Sequence, residues 1–141
     1  YDKHIQAIAR DDERAKQLLR LSGIGPTTAT AILAMIGNGH EFRCGRQFAA
    51  WLGLTPGQYS SGGKTRLGHI TKAGDAYLRT LLILGARAVL AAAKNKSDAI
   101  SRWAIALEAR RGYWKAVVAI VRISANVTDG FGNVTGLSGR C

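Results

Sequence analysis

The sequence predicts a compact, mainly α-helical domain with a strongly basic surface. Apolar residues recur at helical spacing in five or six segments, and no segment alternates apolar and polar residues convincingly enough to predict a strand. The 141 residues are 47% hydrophobic, which is sufficient for one core. Twenty Lys and Arg residues against nine acidic residues give a formal net charge of +11, an imbalance typical of proteins that bind nucleic acid.

The N-terminal segment predicts one amphipathic helix over residues 2–20, because apolar side chains recur along it and neither Gly nor Pro interrupts it. One position, Asp12, falls where a strict heptad would place an apolar residue. We therefore interpret residues 1–20 as the end of a linker or coiled helix rather than as a coiled coil in itself.

A Gly-Ile-Gly-Pro sequence follows this helix and predicts a tight turn into a second helix. Gly23 and Gly25 permit positive φ angles, and Pro26 suits the first helical position because its missing N–H costs nothing there. Residues 10–37 therefore resemble the helix-hairpin-helix motif, in which free amides at a helix start hold a DNA phosphate. Gly23, Gly25 and Thr27 are the expected contacts, and the alternative is a turn that serves packing alone.

The remaining apolar periodicity predicts four more helices and a tail. The segment from residue 75 to 93 is apolar on most sides, so we expect it to be the central core helix. After residue 123 four glycines and no periodicity of either kind predict a disordered tail over residues 124–141. The predicted helices cover residues 46–52, 75–93, 98–111 and 113–120.

Residues 58–79 concentrate hydroxyl groups, glycines and cations, with Asp75 as the single acid, and we expect a loop up to the helix that starts near residue 75. Glycines beside a hydroxyl let a backbone approach a ligand closely, and clustered cations suit a phosphate-rich partner. A P-loop is excluded because Gln58 stands where that motif needs Gly. From the residues alone, a nucleophilic serine at a nucleic-acid backbone and a merely flexible loop both stay open. The expected nucleic-acid contacts are Lys64, Arg66, Lys72 and Arg79.

Cysteine content and hydropathy indicate the cellular compartment that we expect for the protein. Cys44 and Cys141 form no disulfide framework, so we expect a cytoplasmic protein. His40 and Cys44 without companion ligands predict no metal site. The apolar run over residues 80–93 is interrupted by Arg87 and is too short to cross a bilayer, so no membrane partner is expected.

Six blocks of sequence, in a fixed order, together resemble a known family. They include Leu-Ser-Gly-Ile-Gly-Pro at residues 21–26 and Arg-Gly-Tyr-Trp-Lys at residues 111–115. The series is similar to the C-terminal domain of the DEDD-type insertion-sequence transposases, the IS110 family and its close relatives, which are RNA-bridged DNA recombinases of bacteria. The blocks cover residues 21–29, 48–56, 60–64, 68–72, 77–82 and 111–119.

The resemblance implies a serine nucleophile and several partners. In the family a serine before glycine attacks DNA and forms a covalent phosphoserine; here that residue is Ser61, with Ser60 as second choice. The resemblance further implies an N-terminal domain whose four acidic residues bind Mg²⁺, assembly into homo-oligomers, and choice of the DNA target by a structured guide RNA. No cofactor is expected in the residues of this chain itself.

This sequence departs from the family at both ends. No acidic domain precedes residues 21–123, which correspond to the transposase C-terminal domain, and residues 124–141 do not match, as a frameshifted element would explain. We therefore expect a fragment that binds DNA without cutting it. The alternative is a stand-alone helix-hairpin-helix nucleic-acid-binding module without catalysis. A basic structural protein of a ribonucleoprotein would explain the charge but neither the glycine turn nor the serine-glycine block.

Overall fold

The computed structural model describes residues 1–37, 42 and 45–127, which form seven α-helices and one two-stranded antiparallel sheet. The prediction of a mainly α-helical fold is confirmed. In chain order the elements are α1 Asp2–Asp11, α2 Glu13–Leu19, α3 Pro26–Ile36, α4 Gly45–Trp51, β1 Pro56–Ser61, β2 Lys64–Ile70, α5 Ala76–Ala93, α6 Ala99–Arg111 and α7 Tyr113–Val127.

The predicted single N-terminal helix is wrong, because the chain breaks at Asp12. This residue has extended backbone angles, and its carboxylate accepts a hydrogen bond from the backbone N–H of Arg14 at 2.8 Å, so it is the N-cap of α2. The Arg14 guanidinium also donates to the Asp12 side chain, and these hydrogen bonds lower the pKa of Asp12. Both α1 and α2 then pack against α3 instead of continuing as one rod.

The helix α5 is the centre of the domain, as predicted, and it contacts α3, α6 and α7. It begins where the Asp75 carboxylate accepts the backbone N–H of Leu78 at 2.7 Å. Its buried positions recur every three or four residues, which is the spacing of one helix face. They are Leu78, Leu82, Ala86, Leu90 and Ala93.

The rest of the core comes from short apolar segments that surround α5. An edge-on contact joins Phe42 to Phe48, with ring centroids 5.5 Å apart, and closes the end of the core beside α4. The largest fully buried side chains come from α2, α5, α7 and the turn after α4: Leu18, Leu52, Leu54, Leu78, Leu90, Val117 and Val121.

In the described part of the chain, α5 is the one helix long and apolar enough to cross a membrane by length and composition. The core helix of a soluble domain meets the same criterion. Three helices pack against α5, and it carries Arg79 and Arg87.

The last helix, α7, runs further than the sequence predicts. Residues 124–127, which we expected in the disordered tail, continue the helix, and the Ser124 hydroxyl donates to the carbonyl of Ile120 at 3.1 Å. The buried Ile120 and Val121 hold this part of α7 to the core, so the following turn extends from an anchored segment. The remainder of the predicted tail, residues 128–141, lies outside the described residues.

The predicted loop over residues 58–74 is wrong for most of its length, because residues 56–70 form the antiparallel hairpin of β1 and β2. Its register pairs Ser61 with Lys64, Ser60 with Thr65 and Tyr59 with Arg66. The described side chains of both strands are almost all exposed, so the hairpin extends from the helical body into solvent.

Candidate nucleic-acid interface

The tip of the β-hairpin is a two-residue turn that only glycine suits. Gly62 and Gly63 have φ angles of +61° and +80°, and two successive positive φ angles define the type I′ turn whose twist matches that of paired strands. No atom of the rest of the described chain lies within 4 Å of a Cβ added at either residue. The glycines therefore serve the turn itself and leave the space around it open to a ligand.

The register sorts the candidate residues between the two faces of the hairpin. Residues opposite each other in an antiparallel pair share a face, and so do alternate residues along one strand. Ser61 is therefore on one face with its partner Lys64 and with the next pair, Tyr59 and Arg66. The structure thus brings one predicted serine together with two of the four predicted cations.

Tyr59 stabilises this face by covering a glycine on the neighbouring strand. A Cβ added at Gly68 would lie 2.9 Å from the Cε2 atom of the Tyr59 ring, so the ring occupies the space above that glycine. An aromatic ring over a strand glycine restores cross-strand packing that the glycine lacks. The Tyr59 side chain is still 73% exposed, which leaves much of the ring available to a partner.

The base of the hairpin is clamped to the ends of α4 and α5 by close backbone contacts. The backbone N–H of Lys72 donates to the carbonyl of Gly53 at 3.0 Å, and a Cβ added at Gly53 would lie 2.7 Å from the Cα of Lys72. A Cβ added at Gly74 would overlap the carbonyl oxygen of Trp51 and would lie 2.7 Å from the Cα of Leu52. These contacts hold both strands at a fixed position on the helical body.

Lys72 and Arg79, the other two predicted cations, lie at this base rather than at the tip. Lys72 is exposed in a left-handed conformation with φ of +55°, and about 20 Å of strand separates it from Lys64. Arg79 donates through Nη1 to the carbonyls of Leu52 at 3.0 Å and Gly74 at 3.3 Å. Its guanidinium is therefore engaged in joining α4, the hairpin base and α5.

The charge on the hairpin is not neutralised from within the described part of the chain. The salt bridges there are Arg14–Asp12 and Lys16–Glu13, both near α2. The one acid of the 58–79 segment, Asp75, accepts a backbone N–H at the start of α5. Lys64 and Arg66 thus present positive charge to solvent, as a site for a polyanion requires.

The Gly-Ile-Gly turn between α2 and α3 forms as predicted, but its first glycine serves packing. Gly23 has φ of +88°, and a Cβ there would lie 2.9 Å from both the Gly85 carbonyl oxygen and Val89 Cγ2. Gly25 has no neighbouring atom within 4 Å of an added Cβ, and Thr27 is exposed. The turn therefore packs on the middle of α5 through Gly23, while Gly25 and Thr27 are accessible.

The two segments that are candidates for phosphate binding, the β-hairpin and the Gly-Ile-Gly turn, are thus attached to different turns of α5. The hairpin base is tied to Arg79 and the glycine turn to Gly85, about 9 Å apart along the helix axis. Both segments can be predicted from the sequence, but their attachment to the same helix, α5, cannot. The facing glycines, 62 residues apart along the chain, give no local signal.

The described residues do not fit a Mg²⁺ site, since no group of three or more His, Cys, Asp or Glu side chains comes together among them. Two of the acids, Asp75 and Asp98, cap helices instead, and the Ser101 hydroxyl lowers the pKa of Asp98 by donating to it. His40 and Cys44 lie outside the described residues. The Mg²⁺ that the family resemblance implies would therefore need ligands from another part of a longer protein.

The sequence is similar to one protein family and to individual proteins of two bacteria. The model of the "Transposase IS116/IS110/IS902 family" matches residues 15–102, which include most of α2, all of α3 and the whole β-hairpin. Over 126 residues, 89% of this chain and 37% of the relative, the sequence is 52% identical to a Pseudomonas aeruginosa protein named "Probable family 20 transposase". Over 127 residues it is 42% identical to the transposase for insertion sequence element IS1111A of Coxiella burnetii, covering 90% of this chain and 35% of the relative.

The chain spans about a third of the length of these relatives. The family model covers more than half of the chain and includes both the glycine turn and the serine-bearing hairpin. The chain therefore belongs to the IS116/IS110/IS902 family of transposases.

Proposed function

We propose that this chain is the part of an insertion-sequence transposase that binds DNA and supplies the serine for strand cleavage and rejoining. One observation carries the proposal: Ser61, Lys64 and Arg66 share one exposed face at the tip of a hairpin that projects from the helical body. The catalytic activity itself is proposed for the longer protein, of which this chain would be one segment.

The chemistry that suits this face is phosphoryl transfer at a DNA strand. The Ser61 hydroxyl would give up its proton as its oxygen bonds to the phosphorus of a backbone phosphate. The bond to one sugar oxygen would break, and that oxygen would take up a proton as a free sugar hydroxyl, which leaves a phosphoserine. Lys64, directly opposite, would stabilise the charge that develops on the phosphate oxygens, and Arg66 would hold an adjacent phosphate. Ser60, paired with Thr65, is the second candidate for the nucleophile.

The glycine turn would supply a second phosphate contact through Gly25 and Thr27 at the start of α3. No side chain caps α3 in the described structure, so the helix start is available to an anion. Lys72 would add charge at the hairpin base. From the family resemblance we also propose a structured guide RNA and further copies of the transposase as partners, in the bacterial cytoplasm.

The test uses a full-length transposase that carries this segment, incubated with end-labelled target DNA and analysed on denaturing gels. We expect Ser61→Ala to abolish strand cleavage and the covalent protein–DNA adduct. Duplex affinity should change less than about twofold, because one hydroxyl contributes little to a charge-driven interface. Ser60→Ala is the matched control and should retain the adduct.

Two outcomes would contradict this assignment. An adduct that survives Ser61→Ala and disappears with Ser60→Ala would move the nucleophile by one residue. An adduct that survives replacement of both Ser60 and Ser61 by Ala would show that the nucleophile does not lie in the hairpin. With duplex binding intact, that second result would favour the alternative of a nucleic-acid-binding module without a nucleophile.

A further inference from the structure

A second basic surface lies at the corner between α6 and α7, away from the β-hairpin. The last turn of α6 carries Arg110 and Arg111, Gly112 turns the chain with φ of +95°, and α7 begins with Tyr113, Trp114 and Lys115. All of these residues are exposed. The sequence pattern alone assigns this block no role.

The central α5 contributes a further cation to this corner. The Nε of Arg87 donates to the Tyr113 hydroxyl at 3.0 Å, and its guanidinium carbon lies 5.9 Å from the centre of the Trp114 ring. The Tyr113 ring meets Trp114 edge-on, with centroids 5.2 Å apart. These contacts hold the indole in one orientation although 63% of its surface is exposed.

The stability of α6 explains part of this basic surface but not the exposed aromatic ring. Arg110 and Arg111 suit the C-terminus of α6, where cations interact favourably with the helix dipole. An exposed Trp held between an Arg and a Tyr is not explained in that way. None of the four cations makes a salt bridge within the described part of the chain, so their charge is available to a partner: Arg87, Arg110, Arg111 and Lys115.

We propose that this corner binds unpaired nucleotides of a single-stranded nucleic acid, with a base stacked on Trp114. Aromatic rings beside cations are the combination that single strands need, since each base stacks on a ring while its phosphates contact positive charge. A duplex keeps its bases stacked on one another and cannot use the indole in the same way. The pre-oriented indole loses little side-chain freedom on binding.

This site is separate from the hairpin and rests on the proposed function only in that both take nucleic acid as partner. Arg87 lies about 12 Å along α5 from Arg79, which is tied to the hairpin base. The chain would thus hold a duplex phosphate backbone at one end of α5 and an unpaired strand further along it. Either single-stranded DNA or single-stranded RNA has the required chemistry.

The experiment measures fluorescence anisotropy of labelled oligothymidylate, oligouridylate and a short duplex with the full 141-residue chain. We expect Trp114→Ala to weaken single-strand binding at least about fivefold and to change duplex binding less than about twofold. Trp114→Phe keeps a stacking ring and should retain most of the affinity. The oligonucleotide that loses more affinity identifies the type of strand.

The matched control is Trp103→Ala, which removes another partly exposed Trp from α6, where its side chain is 37% exposed. An equal loss of single-strand affinity in both Trp variants would overturn the proposal, as would an unchanged affinity in Trp114→Ala. A shift from dimer to monomer in Trp114→Ala, with single-strand affinity unchanged, would identify the corner as a contact between copies instead. Failure of the hairpin proposal would give a different result from failure of this one. In that case duplex affinity would stay unchanged when Lys64 and Arg66 are replaced by Ala.

Discussion

Replacing Gly85 by Ala tests the support that α5 gives to the glycine turn. In an isolated helix this substitution stabilises by about 1 kcal/mol, because Ala is the better helix former. Here a Cβ at Gly85 would overlap the carbonyl oxygen of Gly23. Neither group can rotate away, because the Cβ is fixed by the helix backbone and the carbonyl is part of the backbone. The packing thus predicts the opposite sign from the helix propensity.

The size of the effect follows from these two opposing contributions. Inserting a methyl group into a packed contact costs typically about 1–3 kcal/mol, and an overlap with backbone belongs at the upper end of that range. After subtracting the propensity gain we expect a net destabilisation of about 2 kcal/mol. For a domain of this size that corresponds to a Tm lower by roughly 6–10 °C.

The assay is urea unfolding followed by far-UV circular dichroism, with Gly112→Ala and Gly23→Ala measured beside Gly85→Ala. Gly112 has φ of +95°, close to the +88° of Gly23, but no atom within 4 Å of an added Cβ. Both variants carry the strain of a positive φ, so the extra destabilisation of Gly23→Ala reports the crowding alone. A Gly85→Ala protein more stable than the parent would refute the close contact between the turn and α5.

Two further predictions concern the hairpin. Arg79→Met should destabilise the protein by about 1–3 kcal/mol, since it leaves the carbonyls of Leu52 and Gly74 without their donor; Arg102→Met, on the exposed side of α6, should change the free energy of unfolding by less than about 0.5 kcal/mol in the same urea titration. Gly63→Ala imposes a Cβ on a residue with φ of +80° and should cost the hairpin about 1–2 kcal/mol. Amide exchange of β2 should then accelerate while α5 is unaffected, and equal acceleration in both would show that the hairpin is not an independent unit.

The helices could be predicted from the sequence because their signals are local. Periodicity and caps placed α5 and α6 within one residue of their observed starts. The break at Asp12 also has a local signal, an acid followed by a helix-forming segment, which the uninterrupted apolar pattern outweighed. The α7 extension had none, since Ser and Asn are weak helix formers whose placement depends on the anchored turn before them.

The hairpin was missed although its strongest signal is visible in the sequence. A Gly-Gly pair between two short segments that contain Tyr59, Thr65 and Ile70 is typical of a type I′ hairpin. The clustered cations and serines favoured the interpretation of a ligand-binding loop. Because almost every side chain of β2 is exposed, the strand lacks the alternation of apolar and polar residues that marks a half-buried strand. Recognising the strands would have placed Ser61, Lys64 and Arg66 on one face from the sequence alone.

The role of Arg79 could not have been found in this way. Its two acceptors, the carbonyls of Leu52 and Gly74, come together only when α4, the hairpin base and α5 are assembled. The same holds for Gly23 against Gly85. A basic residue counted as a nucleic-acid contact and a glycine counted as a phosphate contact therefore both have structural partners that no sequence window contains.

The salt dependence of duplex binding tests the central claim most directly. The affinity of the parent chain should fall linearly with the logarithm of salt concentration, with a slope of roughly −0.9 per phosphate contact. Replacing both Lys64 and Arg66 by Ala should reduce that slope by about two units, whereas replacing Lys94 and Lys96, which follow α5, should leave it nearly unchanged. A flat salt response, or an equal reduction in both double variants, would contradict a hairpin that binds the DNA backbone.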